Sequence, residues 1–206
     1  MKIPGGYIVA IEGIDAVGKN THSMLLYKWL RRKGVEAAHM SFPDYDTPIG
    51  KEIKSFLSGR REYPIELQHL LFAANRWEKL ELIKSRLREG GTIIVNRYTE
   101  SNLAYGRANG LDVVWLAGLE HGLPKADLVI VLDASPRSLS SRRSGNNKDV
   151  YEKSSMLQVK AQKAYRELAR KHGWTLIDAD GPVGDVQVSV LKTVREALKR
   201  DRGTPI

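Results

Sequence analysis

The sequence predicts an α/β fold, a five-stranded parallel sheet flanked by helices, and three observations carry that prediction. Short apolar runs alternate with longer stretches in which apolar residues recur every three or four positions, the pattern of strand–helix–strand crossovers. The chain has 206 residues, 42% of them hydrophobic, which suits one domain, residues 1–206, with a sizeable core. A glycine-rich segment, Gly13 to Thr21, falls between the first apolar run and the first helical stretch.

Five runs read as strands: Tyr7–Glu12, Val35–Phe42, Thr92–Arg97, Leu128–Ala134 and Trp174–Asp178. After the first, Met24, Leu25 and Trp29 have helical spacing. Between the second and third, Leu67, Leu70, Ala74, Trp77, Leu80, Ile83 and Leu87 predict one long helix that buries this stripe and stops at Gly90 and Gly91. Two later helices follow from Leu157, Ala161, Ala164, Leu168 and from Val183, Val186, Val190, Val194, Ala197. The polar, basic patch Ser138–Lys148 lacks apolar period and reads as a mobile loop, part of a lid over about residues 136–152. The tail, Asp201–Ile206, is expected to fray.

Composition narrows the function. Lys and Arg number 33 against 24 Asp and Glu, a net charge of +9, which favours anionic partners. The absence of cysteine removes disulfides, thiolate metal sites and cysteine nucleophiles, and fits a reducing compartment. No apolar stretch reaches membrane-span length and the first run is too short for a signal peptide, so a cytoplasmic protein with no membrane partner is expected. A nucleic-acid partner is not expected, because the basic residues are dispersed and aromatics make up only 7%. His22, His39, His69, His121 and His172 show no metal-ligand spacing and read as surface or packing residues.

The segment Gly13-Ile14-Asp15-Ala16-Val17-Gly18-Lys19-Asn20-Thr21 is a phosphate-binding loop in its required context. The glycines let backbone N–H groups turn toward phosphate oxygens, the helix adds its positive end, and Lys19 reaches the terminal phosphates. Its last position holds Asn20 where Ser or Thr supplies a hydroxyl to Mg²⁺. Thr21 does not substitute, being rotated about 100° around the helix, whereas the Asn20 carbonyl is a hard oxygen able to bind magnesium directly or through water.

Two further groups suit an acceptor. Phe72 and Arg76 lie at i and i+4, off the apolar stripe, where ring and guanidinium can stack a heterocycle and bond its edge. The alternative is a packed Phe72 beside a solvated Arg76. Arg97 emerges at the carboxyl end of the third strand, next to the phosphate loop, as a phosphate clamp or else a surface ion pair.

Taken together the chain resembles the thymidylate kinase family of nucleoside monophosphate kinases. The resemblance rests on the phosphate loop with Asp15, Phe42-Pro43-Asp44-Tyr45 with Pro48 and Gly50, Leu71-Phe72-Ala73-Ala74-Asn75-Arg76-Trp77-Glu78, Arg97-Tyr98 with Ser101 and Ala104-Tyr105, and Gly122-Leu123-Pro124-Lys125-Ala126-Asp127-Leu128. It implies a P-loop NTPase fold with a mobile lid, transfer of the ATP γ-phosphoryl group to dTMP, Mg²⁺ as cofactor and a homodimer. By the same resemblance Phe72 stacks on thymine, Arg76 contacts its edge, Asp15 accepts from the 3′-hydroxyl, Tyr105 crowds the 2′ position, Arg97 holds the acceptor phosphate, and Phe42 and Ser101 complete the substrate site. The family's Asp before that Arg is Asn96 here, and Ala16 and Val17 stand where some members carry a catalytic Arg. Val150 stands where members often have a lid Arg, which leaves Arg142, Arg143 and Lys148 as lid cations. The paired Asn20 and Asn96 changes also admit a nucleotide-binding regulatory relative with weak or lost kinase activity.

Overall fold

β1 (Tyr7–Glu12) is buried at every position, which requires the middle of a sheet covered on both faces. A computed structural model of the chain describes residues 3, 5–142 and 149–203. With β2 (Ala37–Ser41), β3 (Thr92–Asn96), β4 (Leu128–Asp133) and β5 (Thr175–Asp178), β1 forms a five-stranded sheet in the order β2-β3-β1-β4-β5. Every pairing is parallel, with Tyr7 opposite Thr92 and Val9 opposite Leu128. Among the described residues the helices are α1 (Lys19–Arg32), α2 (Pro48–Leu57), α3 (Ile65–Trp77), α4 (Leu80–Arg88), α5 (Thr99–Ala108), α6 (Val113–Leu119), α7 (Pro136–Arg142), α8 (Val150–Lys153), α9 (Ser155–His172) and α10 (Val183–Arg202). No helix among these residues is long and apolar enough to cross a membrane.

Four strands are shorter than the apolar runs, for local reasons. The Val35 amide closes the turn after α1 by donating to Leu30 O at 3.0 Å, and the Trp174 amide donates to Ala169 O at 3.0 Å, finishing α9. At the other end of β3, Arg97 takes a left-handed φ of 62° and leaves the strand.

The predicted long helix is two helices. α4 buries Ile83 and Leu87 in the main core, but Leu67, Leu70 and Trp77 of α3 face solvent, as part of a stripe predicted to be covered. α3 instead buries His69, Ala73, Asn75 and Arg76. Asn75 explains part of this inversion: it accepts from Asp44 N at 2.8 Å and donates to Thr47 Oγ1 at 2.8 Å and Glu78 Oε2 at 3.0 Å. Turning these groups to solvent would strand the polar atoms of the 42–47 loop.

Two loop expectations change as well. Ser138–Arg142 belong to the helix α7, while Arg143–Lys148 lie outside the described residues. Asp201 and Arg202 do not fray. Tyr7 Oη donates to Asp201 Oδ2 at 2.8 Å, and Arg202 donates to Gly5 O at 2.6 Å and Gly90 O at 3.0 Å, so the end of α10 ties the starts of β1 and β3 together.

Candidate active site

The order of the sheet reverses at β1, whose neighbours β3 and β4 leave in opposite directions, and clefts form outside the carboxyl ends of such strands. The loop from Gly13 to Gly18 starts there. Gly13 has φ +131°, and a Cβ on it would lie 2.4 Å from Leu132 O; Gly18 precedes α1 at φ +96°. Both positions require glycine. No side chain caps α1, so the positive end of the helix is left for an anion from outside the protein. Ile14 and Val17 turn into the core, so their contribution to the loop is backbone. Ala16 adopts a left-handed φ of 68°. Lys19 is buried, its Nζ donating to Ile14 O at 2.6 Å and lying 3.8 Å from Asp15 Oδ1. Asn20 and Thr21 are exposed on the first turn of α1.

Asp15 joins the loop to the rest of the site. Its carboxylate pairs with the Arg97 guanidinium and accepts from Tyr105 Oη at 3.0 Å and Gln158 Nε2 at 2.8 Å, while its own amide donates to Gln158 Oε1 at 3.1 Å. Burial raises the Asp15 pKa, but Arg97, Lys19 and the two hydrogen bonds outweigh it and hold the carboxyl well below the usual carboxylate range. It is therefore a permanent acceptor. Arg97 lies 5.3 Å from the centroid of the Tyr105 ring. Its left-handed backbone costs about 1–2 kcal/mol, a strain that aims the guanidinium back across β1. Arg97 is thus in an ion pair, as one expectation held, but the pair is partly buried inside the cleft.

Behind these residues Glu12, fully buried, accepts from Tyr98 N at 2.6 Å, Ser101 Oγ at 2.6 Å and Tyr165 Oη at 2.8 Å. This fixes the start of α5 and with it Ser101 and Tyr105. Phe72 meets Phe56, His69 and Tyr151 edge to face at 5.6–5.9 Å. Arg76 is not solvated: only 3% exposed, it donates from Nε and Nη2 to the carboxylate of Glu120. Asn96 Nδ2 donates to Ser41 Oγ at 2.9 Å, and its Oδ1 is buried without a hydrogen-bond partner.

These elements enclose a cleft of about 250 Å³. Asp15, Phe42, Phe72, Arg76, Arg97, Ser101 and Tyr105, all predicted from the sequence, line it together, with Asn96, Asn102, His69 and Tyr151. The Phe42–Pro43 peptide at its rim is cis. Of the predicted lid cations, Arg142 is described: its Nη2 donates to Ala179 O at 2.8 Å, on the loop between β5 and α10, away from the cleft. Arg143 and Lys148 are outside the described residues.

Glu12, Glu120, Asn102, Tyr151 and Gln158 were not among the predicted site residues. Gln158 left a trace, being a polar residue three positions before Ala161 on the buried face of α9. Glu12 left another, as a carboxylate ending an otherwise apolar strand. The other three depend on contacts distant in sequence.

A parallel sheet with a phosphate loop after its first strand, and a polar cleft beside that loop, defines a P-loop nucleotide-binding enzyme. The family model described as thymidylate kinase matches residues 11–190, and the chain belongs to that family. It is 36% identical over 194 residues to the thymidylate kinase of Schizosaccharomyces pombe, covering 92% of this chain and 91% of that one. It is 30% identical over 204 residues to the human enzyme, covering 98% and 95% respectively. A solved structure of thymidylate kinase from Candida albicans superposes with a TM-score of 0.83 at 30% identity, covering 94% of this chain and 92% of that one. Nothing in these likenesses favours a regulatory relative over an active kinase.

Proposed function

We propose that ATP and dTMP lie end to end across the carboxyl edge of the sheet, and that the enzyme's phosphorylation of dTMP to dTDP proceeds between the loop 13–21 and the cleft. The observation that supports this most is the convergence of Phe72, Arg76, Arg97 and Tyr105 in one cleft joined to the phosphate loop through Asp15. Thymine stacks on Phe72 with its edge toward Arg76, and the acceptor phosphate pairs with Arg97. Asp15, held ionised, takes the 3′-hydroxyl, and Tyr105 fills the space a 2′-hydroxyl would need.

Phosphoryl transfer asks for positioning and charge neutralisation more than covalent chemistry. Lys19 and the loop amides hold the phosphates of ATP. The lid cation is Arg142 or Arg143; if it is Arg142, the side chain leaves Ala179 O when the lid closes and water is expelled. Bound magnesium would neutralise charge on the phosphate oxygens. Asn20 and the unpartnered Oδ1 of Asn96 are neutral hard-oxygen donors that fit it, and the described residues contain no group of three His, Asp or Glu able to hold a metal. Asn20 and Asn96 would assist in holding such an ion, with phosphate and water supplying its other oxygens.

A coupled ADP-release assay with ATP and Mg²⁺ against dTMP, dUMP, UMP, CMP and AMP tests the reading: dTMP should be the best acceptor, and equal or better turnover of AMP or CMP would overturn it. In the same assay, changing Arg142 and Arg143 together to Ala should cut turnover at least about tenfold with little change in KM for dTMP. Turnover within about threefold of wild type would reject the lid assignment.

The exposed stripe of α3 supports a homodimer. Leu67, Leu70 and Trp77 of α3 are exposed, as are Val114 and Trp115 of α6, and the two helices are joined by Trp77 Nε1 donating to Leu119 O at 2.9 Å. A face of this kind is a site of association. Sedimentation velocity should find a dimer that Leu70→Asp converts to monomer. A monomeric wild type, or a variant that stays dimeric, would exclude this face.

A further inference from the structure

The wall of the cleft beside Arg76 is a continuous chain of hydrogen bonds with a fixed polarity. Glu120 Oε2 accepts from Arg76 Nε at 2.9 Å, and Oε1 accepts both from Arg76 Nη2 and from Asn102 Nδ2 at 2.8 Å. Asn102 Nδ2 also lies 3.3 Å from His69 O. The Asn102 Oδ1 is 2.6 Å from His69 Nδ1, and the other ring nitrogen of His69 is 3.1 Å from Asn109 Nδ2. Because Asn109 donates from its amide nitrogen, His69 Nε2 is the acceptor and Nδ1 carries the proton. Burial, with the charge of Arg76 beside it, lowers the pKa of His69 to about 4, so the ring is neutral.

Each link removes a choice from the next. Two N–H groups of the Arg76 guanidinium are spent on Glu120, and the rest can only donate. The Asn102 amide nitrogen is spent on Glu120 and His69 O, which leaves one lone pair of Oδ1 as an acceptor. The cleft therefore offers donors at Arg76 and an acceptor at Asn102. A ring carbonyl adjoining a ring N–H, the imide edge of thymine or uracil, complements that pattern. Cytosine offers an amino group and a bare ring nitrogen there, each of the wrong sign.

We propose that Glu120 is a positioning residue that sets base specificity: its one buried carboxylate orients both the Arg76 fork and the Asn102 amide, and so makes the cleft select a keto–imino edge over an amino one. This rests on the reading of the cleft as the dTMP site. A polarity set by buried partners is a strong filter, since a mismatched base leaves protein groups without partners.

The test uses Glu120→Gln, which keeps the size but must turn an N–H₂ toward Arg76 or Asn102, and Glu120→Asp, which keeps the charge but draws it back by one methylene. KM for dTMP should rise at least about tenfold with kcat nearly unchanged, and the ratio of kcat/KM for dTMP over dCMP should fall at least about tenfold, with KM for ATP unaffected. If both variants keep the dTMP KM and this ratio within about threefold of wild type, the proposal is overturned. Should neither variant fold, Asn102→Ala leaves the Arg76–Glu120 pair intact; a fall in the dTMP-to-dCMP ratio supports the proposal and an unchanged ratio overturns it. Arg97→Ala separates the two levels. If it also leaves KM for dTMP unchanged, the cleft assignment fails; if it raises KM while the Glu120 variants do not, only the role of Glu120 is lost.

Discussion

Replacing Lys19 by Ala is expected to lower kcat by at least about 10²–10³, with KM for dTMP within about threefold of wild type. The split follows from where Lys19 sits. Its ammonium is bonded across the loop to Ile14 O, at the end of α1 proposed to receive phosphate, and it does not line the acceptor cleft. On the proposed reading its charge is preorganised on a buried side chain, where a fixed cation stabilises developing phosphate charge far more than in bulk solvent. Arg is not a substitute, because Lys19 is buried and a planar fork does not fit the place of a compact ammonium. The fold should survive the change, since Asp15 retains Arg97, Tyr105 and Gln158. Steady-state kinetics with thermal melting of the same sample decides the matter. A kcat within about tenfold of wild type would show that the loop amides alone hold the terminal phosphates.

The phosphate loop could be read from the sequence because its chemistry is local: glycine spacing, a lysine, and the strand and helix on either side lie within a few residues. The central strands were legible for a similar reason, as apolar runs such as Leu128–Asp133 suit only a doubly covered sheet. The facing of α3 was not. Periodicity detects an apolar stripe but cannot say what covers it, and the opposite face is held by partners far along the chain, His69 with Asn102 and Arg76 with Glu120. Each of those polar residues is unfavourable to bury alone and acceptable once paired. The same holds for Arg97, whose left-handed backbone makes sense only with Asp15 opposite it. At the end of the chain, Arg202 looks like a frayed charge until the carbonyls of Gly5 and Gly90 are brought to it.

Glu100→Gln is expected to raise the melting temperature by roughly 4 °C or more near pH ~8.5 and to leave it almost unchanged near pH ~4.5. Glu100 sits in the first turn of α5, 8% exposed, and its Oε2 is buried without a hydrogen-bond partner. Burial first, and then the charge of Glu12, push its carboxyl from an ordinary 4.5 up to about 8, against the pull of hydrogen bonds from Thr99 and its own amide. Glu12 accepts hydrogen bonds from Tyr98, Ser101 and Tyr165, whereas Glu100 Oε2 has no such donor. Between those two values the folded protein holds a proton that the unfolded chain has released. The stabilising contribution is thus complete below the unfolded pKa and is lost as pH rises through the folded one, at up to about 1.4 kcal/mol per pH unit. Glutamine matches the shape, carries no charge at any pH, and has no such dependence. Melting curves of both proteins across this range should therefore converge at low pH and separate as pH rises. Parallel curves would mean that water or a side-chain rearrangement already relieves the buried carboxyl. A variant less stable than wild type at every pH would mean that Glu100 makes a contact worth more than the proton it holds.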